Sequence, residues 1–173
     1  MKLSLGCDHG AYALKEHLKD YLTGQGHEVV DCGTYSTDSC DYPIFARAAA
    51  EQVASGQCER GIVLCTTGIG VSMVANKVKG VRCALCRDLL SAQLTRQHNN
   101  ANMLALAGGF TGNFEAEHIV DTFLTTEFEG GRHQRRDAES HRHRHPGPVR
   151  GDALPLPGRV TSQQFRRDGF SVP

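Results

Sequence analysis

The sequence predicts an α/β fold: a doubly wound, five-stranded parallel sheet, Rossmann-like, with helices on both faces. Two observations predict it. Strand-like and helix-like segments alternate strictly through residue 125, and βα alternation implies a parallel sheet covered by helices. The strand segments are also continuously apolar, as in Gly61-Ile62-Val63-Leu64-Cys65, which fits strands buried on both faces.

The elements follow in order. Lys2–Cys7 is a short apolar strand ending in Asp8-His9-Gly10. Residues 11–24 carry Leu14, Leu18, Tyr21 and Leu22 at helical spacing, and Gly26 ends that helix. Residues 27–32 form the second strand. A polar loop over 33–41 leads through Tyr42-Pro43 into an Ala-rich helix that runs to Ser55. Residues 61–65 are the third strand, 68–78 a helix, 81–86 the fourth strand and 88–98 a helix. Met103–Ala107 is the fifth strand, and Asn113–Thr125 a helix with Ala116, Ile119, Val120, Phe123 and Leu124 on one face. Beyond Glu129 the composition turns basic and then rich in His, Pro and Gly. This divides the chain into a domain over 1–137 and a tail over 138–173, expected to be disordered because few apolar residues offset its ordering entropy.

Composition narrows the function classes. A chain of 173 residues can bury one ordinary core. Its formal net charge is zero, so nothing global points to a nucleic acid or membrane partner. No apolar run reaches transmembrane length, and the N-terminal apolar stretch is too short for a secretory signal. A cytoplasmic enzyme is expected. The seven cysteines are odd in number and several lie inside apolar runs, so they read as buried free thiols rather than a disulfide framework. Cys83-x-x-Cys86 lies in strand-like sequence with no second such pair, which argues against a zinc or redox role.

In open α/β sheets ligands sit beyond the carboxyl ends of the strands. The sharpest feature there is Cys65-Thr66-Thr67-Gly68-Ile69-Gly70. A strand ends at a cysteine, turns through Gly-x-Gly and enters a helix whose first N–H groups favour negative charge. Such a position favours thiolate over thiol, and the same amides suit an oxyanion. A plain tight turn explains the spacing equally well. The run lacks the Lys-Ser/Thr of a phosphate-binding P-loop, and Met73 stands where a dinucleotide fingerprint needs its third glycine. Asp8-His9 alone reads as a turn or cap, His98-Asn99 as a helix C-cap, and Gly130-Gly131-Arg132-His133-Gln134-Arg135-Arg136 as a solvated helix start. Taken together, and placed at the carboxyl side, they point to a site for a small anion.

These segments resemble a known family. Gly6-Cys7-Asp8-His9, Asp41-Tyr42-Pro43, Cys65-x-Thr67-Gly68-Ile69-Gly70, Ala75-Asn76-Lys77, Gly80-Val81-Arg82, the run from Ser91 to Asn99, and Gly130-Gly131-Arg132-His133-x-x-Arg136 are similar to the type B ribose-5-phosphate isomerases. That sugar-phosphate isomerase family also includes the galactose-6-phosphate isomerase subunits. The resemblance implies that Cys65 moves the proton between C2 and C1 of the sugar. It implies that Thr67 and the amides of Gly68 to Gly70 steady the enediolate, and that His98 opens the furanose ring. Asp8 and Tyr42 orient or relay protons, Asn99 meets sugar hydroxyls, and His9, Arg132 and Arg136 hold the phosphate. It further implies a homodimer or homotetramer with shared sites, and no metal or organic cofactor.

Two positions depart from that pattern. Thr66 stands where the family usually has glycine, which is costly if the backbone there needs positive φ. Gly109 stands where ribose-5-phosphate isomerases carry an arginine for the phosphate, a contact worth about 1.5–3 kcal/mol. Ribose 5-phosphate remains the expected substrate because His98 is kept. The alternatives are an aldohexose 6-phosphate (allose or galactose) and, in another class, a sugar-phosphate-binding protein without turnover.

Overall fold

The computed structural model describes residues 1–142. Residues Met1–Ser140 pack as one unit, and the tail expected beyond it lies, from residue 143 onward, outside the described residues. Five parallel strands form one sheet: β1 (Lys2–Cys7), β2 (Glu28–Asp31), β3 (Arg60–Cys65), β4 (Cys83–Leu85) and β5 (Met103–Ala107), in the order β2-β1-β3-β5-β4. Among the described residues six helices accompany them: α1 (Tyr12–Gly24), α2 (Tyr42–Ala54), α3 (Ile69–Ala75), α4 (Leu89–Asn99), α5 (Asn113–Thr125) and α6 (Arg132–Arg142). A 3₁₀ turn over His9–Ala11 precedes α1. The expected fold class is the observed one. Among the described residues no helix is long and apolar enough to cross a membrane.

The sheet has two unlike faces, and the sequence explains why. On one face Leu3, Leu5, Ile62, Leu64, Leu104 and Leu106 meet Leu14, Leu18 and Leu22 of α1, Ala92 of α4, and Ile119, Val120 and Phe123 of α5. On the other, Val63, Cys65, Met103 and Ala105 meet Ala46, Ala49 and Ala50 of α2 and Val71 and Ala75 of α3. Side chains alternate along a strand, so Ser4 and Gly6 of β1 also look toward α2. There Ser4 Oγ donates to the Ala49 carbonyl at 2.9 Å, and a Cβ on Gly6 would lie 2.7 Å from the Phe45 carbonyl oxygen. The Ala-rich helix is therefore matched to small residues that let it approach closely. This face carries Cys65.

Three elements are shorter than the sequence predicts: β2 loses one residue at each end of the expected 27–32, and α3 and β4 are cut back by side-chain amides. The expected helix over 68–78 ends at Ala75, because the Asn76 amide donates to the Cys83 carbonyl at 2.8 Å and accepts from the Cys83 N–H at 2.9 Å. The expected strand over 81–86 shrinks to Cys83–Leu85. Just before it, Asn102 takes the Arg82 N–H at 2.8 Å and donates to the Gly80 carbonyl at 2.9 Å. Side-chain amides thus replace ladder bonds at the edge of the sheet.

Lys15 is fully buried beside β2. Its ammonium donates to both Asp31 oxygens at 2.9 and 2.7 Å and to the Thr34 carbonyl at 2.9 Å, and lies 2.6 Å from Glu16. Burial alone would raise the Asp31 carboxyl, but hydrogen bonds from Lys15, the Gly33 N–H and Lys19 outweigh it and hold Asp31 below its ordinary value. A depressed folded-state pKa contributes stability above the unfolded value near 4 and loses it as pH falls through the folded one. Asp31→Asn is expected to cost about 3 kcal/mol near neutral pH, the low end for an orphaned buried partner because Glu16 remains. Urea titrations of both proteins at pH 7 and pH 3 are expected to show that gap narrowing in acid.

Candidate active site

Strand ends β1 and β3 meet where the strand order reverses, at the carboxyl edge of the sheet. The Asp8 N–H donates to the Leu64 carbonyl at 3.2 Å, so Asp8 lies beside Cys65. The buried Asp8 carboxylate accepts the Gly10 N–H at 3.0 Å and caps the turn; the cap reading and the site reading of Asp8 coexist. His9 is exposed next to it. The Cys40 N–H donates to His9 Nδ1 at 3.2 Å. A backbone N–H can only donate, so neutral His9 carries its proton on Nε2 and presents a donor.

Cys65 ends β3 and is almost buried. Its Sγ accepts the Gly68 N–H at 3.1 Å, and Thr67 Oγ1 lies 4.0 Å from it. Thr67 Oγ1 in turn accepts the Ile69 N–H at 3.3 Å. Gly68 has φ 73°, and a Cβ there would lie 2.9 Å from the Leu106 carbonyl oxygen, so only glycine turns the chain this tightly. Gly70 leaves room for the Tyr42 ring at the start of α2: a Cβ on Gly70 would lie 2.8 Å from Tyr42 Cζ. One edge therefore gathers Asp8, His9, Tyr42, Cys65, Thr67, Gly68 and Gly70.

All seven cysteines are free. Burial pushes Cys7 and Cys83 up to about 12 and Cys32 up to about 11. Those thiols stay protonated and inert at neutral pH, including Cys83 of the Cys-x-x-Cys pair.

His98 and Asn99 lie elsewhere, which corrects their expected place at the carboxyl side. They end α4, and α4 runs back across the sheet to deliver the chain to the amino end of β5. The five residues of β5 put the two edges roughly 16 Å apart. At the amino edge the Glu129 N–H donates to the Gln97 carbonyl at 3.1 Å, and Gly130 and Gly131, with φ 65° and 55°, turn the chain into α6. The basic run is thus the start of a helix that continues to Arg142, past residue 137 where the composition predicts the tail to begin. Arg82, His98, Asn99, His133, Arg136, Asp137 and Ser140 line a cavity of about 320 Å³. Arg132 precedes His133 and its Nε donates to His133 Nε2 at 3.1 Å.

Arg82 and His133 carry no site assignment at the sequence level. Arg82 pairs with Asp137 and donates to the Asn99 carbonyl. His133 stacks on His98 with ring centroids 4.3 Å apart and planes within 4°. Burial, then the charges of His98 and Arg132, lower the His133 pKa, which favours the neutral ring. The i, i+4 spacing of His133 and Asp137 on a helix was the available signal. His98, Glu129 and His133 bring three ligand atoms within 4.8 Å of one another, a set able to hold a metal ion. The guanidinium on His133 Nε2 and the nearby Arg136 and Arg82 oppose a cation there and favour an anion.

Comparison with known proteins gives this geometry a family. Residues 3–139 match the family described as Ribose/Galactose Isomerase. The chain is 44% identical over 135 residues to ribose-5-phosphate isomerase B of Escherichia coli, covering 78% of this chain and 91% of that protein. It is 46% identical over 129 residues to a galactose-6-phosphate isomerase subunit of Clostridium acetobutylicum, covering 75% of each. Among solved structures, ribose-5-phosphate isomerase B from Mycoplasma genitalium with bound ribulose 5-phosphate superimposes with a TM-score of 0.79 at 43% identity, covering 82% of this chain and 94% of that one. With a family model matching nearly all of the described residues and relatives more than 40% identical over three quarters of its length, the chain belongs to the ribose/galactose isomerase family.

Proposed function

We propose that this chain interconverts D-ribose 5-phosphate and D-ribulose 5-phosphate with Cys65 as the base. The observation that carries the proposal is the Cys65 sulfur, held at the end of β3 against the Gly68 N–H, in a chain similar to a protein with ribulose 5-phosphate bound. The proton leaves C2 for the Cys65 thiolate, and its electron pair forms the C1=C2 bond as the C1 carbonyl oxygen becomes an oxyanion. The thiol then returns the proton to C1. The O2 proton passes to O1, and C2 becomes the carbonyl. Carbon 2 is oxidised as carbon 1 is reduced, so no external acceptor enters. Thr67 and the amides of the first turn of α3 face the developing oxyanion, a kind of contact worth roughly 3–4 kcal/mol each. Asp8 and Tyr42 orient the groups that exchange oxygen-bound protons.

His98, as the acid that opens the ring, Asn99 on the hydroxyls, and Arg132 and Arg136 on the phosphate complete the reading, with His9 presenting Nε2–H to the same anion. His98, Asn99, Arg132 and Arg136 lie at the amino edge, away from Cys65 of the same chain. The separation supports a site formed between two copies, each giving its carboxyl edge to the other's amino edge, as a homodimer or a homotetramer of such pairs. Exposed Ile69 and Met73 beside the Cys65 turn supply apolar surface for such contact. A cytoplasmic location belongs to the same reading.

The test is a substrate panel of D-ribose 5-phosphate, D-allose 6-phosphate and D-galactose 6-phosphate. Turnover of the pentose with the highest kcat/KM is expected. Turnover of a hexose phosphate alone would move the substrate, and binding without turnover of any would leave a sugar-phosphate-binding protein.

A further inference from the structure

His98 and His133 line the same cavity, and one ring is the anchor of the other. Their centroids lie 4.3 Å apart and their planes within 4°. The His98 side chain is 36% exposed and that of His133 only 8%, so His133 is the fixed plate and His98 the ring with room to turn. Among the described residues no hydrogen bond holds the His98 ring. The Glu129 carboxylate lies 4.0 Å from its Nε2, beyond hydrogen-bonding range. The plane of His98 is therefore set by the face of its neighbour.

The backbone under both rings is tied down. The Glu129 N–H donates to the Gln97 carbonyl at 3.1 Å, and the His133 N–H to the Gly130 carbonyl at 3.0 Å. On α4, the buried Arg96 guanidinium donates to Asn100 Oδ1 at 3.1 Å and to the Thr126 carbonyl at 3.2 Å, which fastens the end of α4 to the segment leading into α6. What is left to fix is rotation of His98 about its own side-chain bonds.

His133 has a second contact. Arg132 Nε donates to its Nε2 at 3.1 Å, and an accepting nitrogen carries no proton, so neutral His133 holds its proton on Nδ1. A neutral plate lets His98 gain and lose a proton beside it, where a second imidazolium would repel it. One buried ring thus touches both the residue read as the ring-opening acid and a residue read as a phosphate ligand.

We propose that His133 is a positioning residue with two separable tasks: its ring face holds His98 in the plane that opening the furanose requires, and its Nε2 holds Arg132 for the phosphate. The inference rests on the isomerase reading above.

The test separates the two contacts by substitution, with melting curves to verify folding and D-ribose 5-phosphate as substrate. His133→Phe keeps a flat ring against His98 and loses the acceptor. It is expected to keep kcat close to wild type and to raise KM about 10-fold, the low end for one charged hydrogen bond. His133→Gln keeps an acceptor near the Nε2 position and loses the ring. It is expected to leave KM nearly unchanged and to lower kcat by about 10–100-fold, the scale of a catalytic group displaced by an ångström. In a His98→Asn background His133→Gln is expected to lower kcat no further, a non-additive cycle. A merely structural role would damage both variants alike. Matching losses in folded His133→Phe and His133→Gln, or additive losses in the cycle, overturn the proposal, while pentose turnover by wild type leaves the isomerase reading standing. Should His133→Phe not fold, the cycle decides. Absence of turnover by wild type, or full turnover by His98→Asn, removes the isomerase reading or the role of His98, and the proposal falls with it.

Discussion

Cys65→Ala lowers kcat on D-ribose 5-phosphate by about 10³-fold or more, the upper part of the range for loss of a general base, while the fold and ligand affinity survive. The side chain is small and sits against the alanine-rich α2 and α3 face, so deleting one buried heavy atom costs about 1 kcal/mol of stability. The Gly68 N–H that pointed at sulfur remains in the crevice as a donor for the ligand. Cys65→Ser is expected to rescue little, because a serine hydroxyl without an adjacent base is a far weaker nucleophile and base than a thiolate. Steady-state assays beside ribose 5-phosphate calorimetry check both halves of this expectation. Normal turnover by Cys65→Ala removes the proposed base.

The second large effect concerns the two edges of the sheet. His98→Asn is expected to be nearly inactive, like Cys65→Ala, since each strips one half of the proposed shared site. Co-expressed with different tags and purified as a mixed species, the two variants are expected to recover about half of wild-type turnover per dimer. One of the two sites then pairs an intact Cys65 with an intact His98, as two-fold symmetry requires. If both halves came from one chain, no site in the mixture would be whole and activity would stay absent. The roughly 16 Å between the edges is what makes this contrast sharp.

The sheet was legible because its evidence is local and repeated. Runs such as Ile62-Val63-Leu64 and Leu104-Ala105-Leu106 announce buried parallel strands, and the helices between them carry clear apolar faces. The limits of α3 and β4 were not legible, since they depend on Asn76 and Asn102 bonding to backbone that is distant in sequence. The Cys65 turn stood out because a strand, a cysteine and a Gly-x-Gly occur in succession. The edge on which His98 lies was not legible in the motif: helix C-termini in a βα alternation face the amino ends of strands, and the motif alone does not say so. Arg82 and His133 escaped because their roles rest on Asp137 and His98 across the fold.

The most direct test of the whole account is a crystal structure of the Cys65→Ala protein with D-ribulose 5-phosphate. C1 and C2 of the ligand are expected against position 65 and the Gly68 amide of one copy. The ring-side hydroxyls and phosphate are expected among His98, Asn99, Arg132 and Arg136 of a second copy. A ligand held entirely at the amino edge of one chain, with position 65 out of contact, would contradict it.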